Sequence, residues 1–295
     1  MVDSGFDCKT YAKMSADGKF QPHTIKRRAC GDNDVHIETA FAGICHSDIH
    51  ISREEWGPAL FPMVPGHEIA GKVVEVGKNV TKFKVGDHAG VGVFVDACRN
   101  CDQCKKGQEQ YCKPGMVWTY NDREKYPHCP GYKEKADECE PTYGGYSQHI
   151  VIDQDFCCTI PESIPLEQAA PLLCAGITVY SPLKHYGVAK GMRVAVAGLG
   201  GLGAMAVRFA VAFGCHVTVL SRGTAKKEEA LNRLGAHEFV DSTDKAAMAA
   251  KAECFDRIID TIAADHDVRA LMLTLDVDGI CVLVGVPPSP IQFVP

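Results

Sequence analysis

Through its first half the chain alternates apolar and polar residues in short runs. VHIETAFAGIC at 35–45, EIAGKVVEVG at 68–77 and VGDHAGVGVFV at 85–95 are rich in valine and isoleucine, with Gly, Gly-Lys-Asn and Gly-Asp between or within them. That pattern predicts strands joined by tight turns. From about position 160 the texture changes. PLEQAAPLLCAGITVYSPLKHYG at 165–187 predicts a helical stretch, RVAVAGLG a strand, and GLGAMAVRFAVAFG a helix with apolar residues at helical spacing. HVTVLSR, FDRIIDTI and DGICVLVGV predict three more strands, with an amphipathic helix, TAKKEEALNRLG, after the first of them. Strands alternating with helices imply a parallel, doubly wound α/β sheet. The expected organisation is therefore a β-rich domain over 1–174 and a doubly wound domain over 175–295.

Composition narrows the class. With 46% hydrophobic and 23% charged residues in 295, the chain can bury two cores and shows no bias toward disorder. No apolar run reaches bilayer length, and the N-terminus lacks a basic segment followed by an apolar one. No membrane partner and a cytoplasmic location are expected. A net charge of −6 argues against nucleic acid as a partner, which would want excess Lys and Arg.

Fifteen cysteines are many for such a chain and read better as metal ligands and free thiols than as disulfides. Cys98, Cys101, Cys104 and Cys112 fall within fifteen positions. Four thiolates so close in sequence can close a tetrahedron around one Zn²⁺ with no open position, a structural site. Cys8, Cys30, Cys157, Cys158, Cys215, Cys254 and Cys281 are expected to be packed as small apolar side chains.

Gly198, Gly200 and Gly203 form G-x-G-x-x-G within GLGGLG, the run Gly198, Leu199, Gly200, Gly201, Leu202 and Gly203, between a predicted strand and a predicted helix. Glycine there permits a tight turn, close approach of backbone N–H groups to a pyrophosphate, and packing of helix on strand. An NAD site usually has an acidic residue about twenty positions on. Position 222, nineteen after Gly203, is arginine, and Ser221, Arg222, Thr224, Lys226 and Lys227 offer hydroxyls and positive charge. A 2′-phosphate would be held there by charge-assisted bonds, so NADP(H) is the expected cofactor.

A third set is dispersed: Cys45 in GICHSDIH, His67 and Glu68 in VPGHEIAG, and Cys174 in APLLCAG. A catalytic zinc wants three protein ligands of these types and a fourth position for water or substrate. Spacing alone cannot assemble them.

The order GICHSDIH, VPGHEIAG, CRNCDQCKKGQEQYC, QAAPLLCAGITVYSPL, AGLGGLG resembles the zinc-containing medium-chain dehydrogenases, in particular the cinnamyl alcohol dehydrogenase branch, over nearly the whole chain. The resemblance implies a GroES-like catalytic domain followed by a Rossmann nucleotide-binding domain, and two Zn²⁺ per chain. It implies Cys45, His67 and Cys174 as catalytic zinc ligands with Glu68 as a neighbour able to enter the coordination sphere, and Cys98, Cys101, Cys104 and Cys112 as the structural set. Ser47 and His50 match the family's proton relay, and Trp118 in VWTYND an aromatic wall of the substrate pocket, with Phe293 as a second candidate. The implied reaction is hydride transfer between NADP(H) and a primary alcohol or aldehyde of aromatic or allylic type. The alternatives are a zinc-free quinone or enone reductase on the same framework, or a non-catalytic zinc- and nucleotide-binding remnant.

Two departures from the family pattern stand out. The stretch at 121–142 is longer than usual and carries His128, Cys129 and Cys139; a solvent-facing loop is the expected state, with a third metal or a redox pair as the alternative. Family members also run on past GVPPSPIQFVP. On that reading the nucleotide sheet is incomplete and ends on the uncovered strand ICVLVGV. The full-length family form is expected to be a homodimer, and the 295-residue chain to be poorly soluble and weakly active.

Overall fold

The computed structural model describes residues 5–126, 128, 133 and 136–291. The chain divides into two compact units, 1–174 and 175–295. In the first, β1 (Phe6–Ala12) and β2 (Gln21–Arg27) form an antiparallel pair. The main sheet is built from β3 (Asp34–Ala42), β4 (Ile69–Val76) and β5 (His88–Val91), with the short pair β6 (Phe94–Asp96) and β7 (Val117–Trp118) following in the chain. Adding β8 (His149–Asp153) and β9 (Cys158–Thr159) gives five antiparallel strands in the order β8-β3-β4-β5-β9. Alternate residues of β3 (Val35, Ile37), β4 (Ile69, Val73), β5 (Ala89, Val91) and β8 (Ile150, Ile152) meet in one core, as the period-two geometry of a strand requires.

The predicted strand over 35–45 stops at Ala42, and the motif that follows enters a helix, α1 (His46–Ser52), which the strand pattern did not foresee. Cys45 is the N-cap residue of α1, and the Asp48 side chain accepts the Cys45 N–H. A short polar run with an acid at the third helical position can close the N-terminus of a helix in this way.

The second unit is a five-stranded parallel sheet in the order β12-β11-β10-β13-β14, made of β10 (Arg193–Ala197), β11 (His216–Ser221), β12 (Glu238–Asp241), β13 (Phe255–Asp260) and β14 (Leu275–Leu283). Successive residues of β10 point to opposite faces. Val194 and Val196 join a core with Val207 and Ala210, while Ala195 and Ala197 join another with Met248 and Leu271. A sheet buried on both faces explains why its strands read as nearly continuous apolar runs. The helix α4 (Gly201–Ala212) covers the first face, α5 (Lys245–Ala249) and α6 (Val268–Met272) the second. β14 is an edge strand.

Some expectations change. The helical stretch at 165–187 is broken: α2 (Leu166–Ala169) leads through a tight turn to Cys174, at φ −128° and ψ −76°, and α3 (Ala175–His185) starts afresh. The helix expected over 224–235 contains a π-helical turn at Glu229–Arg233, where the Leu234 N–H reaches the Glu229 carbonyl at 3.0 Å. Cys8, Cys157 and Cys215 are buried as expected, but Cys158 is exposed on the short edge strand β9 and does not pack in a core. Cys139 is buried and disulfide-bonded, so at that residue the solvent-facing loop reading fails. Cys129 and Phe293 lie outside the described residues. No helix among the described residues is long and apolar enough to cross a membrane.

Candidate metal centres and nucleotide loop

Cys45, His67 and Cys174 come from three distant parts of the first unit, and their donor atoms all lie within 4.8 Å of one another. Cys45 sits where β3 runs into α1, His67 in the turn leading into β4, and Cys174 at the break after α2. Gly66 permits that turn: its φ is +104°, and a Cβ there would stand 2.8 Å from the Tyr146 ring. His67 Nε2 is 3.1 Å from Cys174 Sγ, and the two sulfurs are 3.9 Å apart. Two thiols and an imidazole so arranged could hold a metal ion of borderline softness and leave a fourth position free.

Behind these donor atoms lies a residue that reading motifs for ligands and relay groups missed. Asp48, 1% exposed, accepts from the Gly66 N–H at 3.1 Å and from His67 Nδ1 at 3.0 Å through one oxygen. Its other oxygen accepts from the Cys45 N–H at 3.0 Å and the Tyr146 hydroxyl at 3.2 Å. Burial alone would raise the Asp48 pKa, but these bonds, that from His67 foremost, hold it below the usual carboxylate value. Burial likewise opposes a charged His67, yet Asp48 and Cys45 outweigh it and push its pKa up to about 10. A hydrogen bond from Cys174, aided by His67 and Ser47, brings the Cys45 thiol down to about 3, while the same bond and burial raise Cys174. The set therefore favours a thiolate at Cys45 beside a Cys174 thiol and a protonated His67, and a metal ion binding there would release the protons of the last two. Tyr120 stacks on the His67 ring with centroids 5.8 Å apart and fixes its plane. The signal for Asp48 was its place three residues after Cys45 at a helix start.

The other sequence-predicted residues are spread around this set. Glu68 is 4% exposed with its carboxylate against Gly43, outside the group of mutually close donors. The Ser47 hydroxyl is 3.5 Å from Cys45 Sγ. His50, one turn further along α1, bonds through Nδ1 to Glu55 and stacks on Trp56 with centroids 4.7 Å apart. Trp118 is half exposed on β7, two positions before Tyr120.

The four clustered cysteines also converge, their sulfurs within 4.8 Å of one another. Cys98 Sγ accepts the Cys101 N–H and Cys112 Sγ the Cys98 N–H, each at 3.4 Å. Backbone N–H groups of Cys104 and Lys113 bring the Cys101 thiol down to about 6, whereas burial pushes Cys104 up to about 12. Arg99, in a left-handed backbone conformation at φ 58°, ties this lobe to the sheet by ion pairs with Asp96 and Asp153, each at 3.0 Å.

In the second unit the glycine run leads from β10 into α4, with Gly200 as the helix N-cap. A Cβ on Gly203 would stand 2.2 Å from the Gly198 carbonyl oxygen, so helix and strand approach as only glycine allows. A Cβ on Gly200 or Gly201 would meet nothing within 4 Å, which leaves backbone N–H groups at a helix start open to an anion. Thr261 braces the turn by donating to Ala197 and Gly198 carbonyls. Ser221 ends β11, Arg222 and Lys227 are exposed, and the Lys226 ammonium reaches the Leu199 carbonyl. Asp241, the register partner of Ser221 on β12, accepts from the Gly223 N–H and from both Thr243 donors. Its negative charge is thereby partly satisfied by neighbours.

Comparison with known proteins decides the family. Residues 31–162 match the alcohol dehydrogenase GroES-like domain and residues 201–295 the zinc-binding dehydrogenase domain. The NADP-dependent alcohol dehydrogenase C 1 of Mycolicibacterium smegmatis is 50% identical over 283 residues, 96% of this chain and 77% of that one. The chain belongs to the zinc-dependent medium-chain alcohol dehydrogenases. Its fold is similar to that of a cinnamyl alcohol dehydrogenase from Sorghum bicolor, with a TM-score of 0.91 and 46% identity over 98% of this chain and 79% of that one. It is also similar to the CAD of Helicobacter pylori complexed with NADP(H), with a TM-score of 0.84 and 45% identity over 96% of this chain and 76% of that one. The chain thus carries a GroES-like domain followed by a Rossmann-type domain and is an alcohol oxidoreductase of this family.

Proposed function

We propose that the protein transfers hydride between NADP(H) and a primary alcohol or aldehyde, aromatic or allylic in type, at a zinc ion held by Cys45, His67 and Cys174. The convergence of those three donors within 4.8 Å carries the reading. A zinc-free reductase on the same framework has no use for such a set. Zinc there supplies a Lewis acid that polarises the oxygen of the alcohol or aldehyde, and the nicotinamide carries the hydride. The rest falls to the chain's own residues. Asp48 and Tyr120 hold the His67 ring in place, with Nε2 aimed at the donor set. Ser47, beside Cys45 on α1, takes the proton released by an alcohol or returns it to a reduced aldehyde, and His50, three positions on, is the outer end of that path. Glu68 is kept close as a reserve carboxylate, and the exposed indole of Trp118 offers an aromatic surface to the substrate. Cys98, Cys101, Cys104 and Cys112 hold a second, structural zinc with no vacant position.

Zinc-loaded protein should oxidise NADPH with an aromatic aldehyde and not with a quinone. Quinone-dependent oxidation without any with aldehyde would overturn the proposal.

Asp48→Asn is expected to weaken zinc retention at the Cys45 site by about 10- to 100-fold, the usual loss when a carboxylate behind a ligating histidine is removed. Competition with a chromophoric chelator reads this directly, and wild-type retention in the variant would remove Asp48 from the role.

Cofactor choice is assigned to Ser221, Arg222, Lys226 and Lys227, with the Gly198–Gly203 turn holding the pyrophosphate. Loss of one charge-assisted contact costs about 1.5–3 kcal/mol, or roughly ten- to a hundredfold in affinity. Arg222→Asp should therefore shrink or reverse a preference for NADPH over NADH, as measured by fluorescence titration. Equal dissociation constants for the two cofactors in the unaltered protein would refute the assignment.

A further inference from the structure

Away from the cysteine sets, two histidines face each other across the main sheet of the first unit. His36 on β3 and His149 on β8 are diagonal neighbours, since His36 pairs in register with Val151 and Glu38 with His149. His36 Nε2 lies 3.2 Å from His149 Nδ1. The other nitrogen of His36, Nδ1, lies 3.4 Å from the Glu75 carboxylate on β4. Phe6 stacks on the His36 ring at 4.8 Å and meets the His149 ring edge-on at 5.7 Å, covering the pair from one side.

The protons on these rings limit what the pair can do. An ionised carboxylate only accepts, so the contact with Glu75 places a proton on His36 Nδ1 and leaves Nε2 of the neutral ring with its lone pair toward His149. Burial, and then His36, hold the His149 pKa below its ordinary value. Among the charged groups near it, Glu38 favours a cation, while Arg27, whose Nε bonds the His149 carbonyl at 3.0 Å, opposes one. Either one shared proton or one cation can bridge the two nitrogens. Zinc–nitrogen bonds of about 2.0–2.1 Å at a tetrahedral angle put two ring nitrogens roughly 3.3 Å apart; the hydrogen-bonded nitrogens stand at 3.2 Å, so an ion would displace the proton between them and need the rings only to turn, not the strands to move. A carboxylate on the far nitrogen of a ligating histidine is the usual way such a ring is oriented and made more basic.

We propose that His36 Nε2 and His149 Nδ1 form a further metal site on the β8-β3-β4 surface, taking a divalent transition cation of zinc-like chemistry with water completing its shell. Imidazole pairs suit Zn²⁺, Cu²⁺ and Ni²⁺. The ion would staple β3 to β8 in the stretch of chain that leads on to Cys45, and so stabilise the first unit in proportion to its occupancy. The site is independent of the catalytic reading, because it shares no residue with either cysteine set.

The test is calorimetric titration of zinc chloride into protein that has been desalted and retains its tightly held zinc. The unaltered protein should take up one further equivalent. Glu75→Gln should weaken that uptake by about tenfold, and His36→Gln and His149→Gln by more, with NADPH-dependent aldehyde reduction unchanged in all three. Added zinc should also raise the melting temperature of the unaltered protein and not that of either histidine variant. No further uptake by the unaltered protein, or equal uptake by the His36 and His149 variants, overturns the proposal. Because each variant is read in both titration and melting, one that folds poorly still leaves the other two to decide.

Discussion

Replacing Cys174 with alanine is expected to lower kcat/KM for aldehyde reduction by at least about 10³-fold while the chain stays folded. Lewis-acid stabilisation by a bound metal is worth several kcal/mol, and each 1.36 kcal/mol is a factor of ten in rate. Cys45 and His67 alone cannot hold an open site as tightly as three ligands. Cys174 stands at the break between a tight turn and α3, so its loss removes a donor without emptying a core. Circular dichroism and NADPH binding should match the unaltered protein. Turnover retained in a folded Cys174→Ala variant would remove the thiol from the reaction.

Ser47→Ala should cost about 10² to 10⁴ in kcat, the usual contribution of a general acid–base group, with NADPH affinity nearly unchanged. The hydroxyl acts on a proton and makes no contribution to holding the dinucleotide on this account. Ser47→Thr keeps a hydroxyl on the same carbon and should recover much of the rate, which a merely structural role for Ser47 would not require. Full activity of the alanine variant across the pH range would show that the proton leaves by another path.

How much of this could be read beforehand depends on the distance over which each feature is encoded. The parallel sheet was legible because β10, β11 and β13 are buried on both faces and announce themselves as apolar runs between helices. The convergence of the four-cysteine lobe was legible because its sulfurs belong to neighbours in sequence. Cys45, His67 and Cys174 were legible only through the family motifs around them, since 129 positions separate the two thiols and no local pattern spans that interval. Asp48 was hidden for another reason. An acid in the first turn of a helix looks like a cap, and only the fold turns its second oxygen toward His67. Helix interruptions were hidden as well: the break at Cys174 and the π-turn at Glu229–Arg233 satisfy backbone bonding over one turn and leave the apolar spacing intact. The pair His36 and His149 gave no signal in the sequence, because two lone histidines on different strands meet only through strand register.

Metal analysis of the desalted protein, prepared without chelators, tests the central claim most directly. Two complete donor sets predict two zinc ions per chain, with the weaker histidine site emptied by desalting; one ion or none would contradict the account.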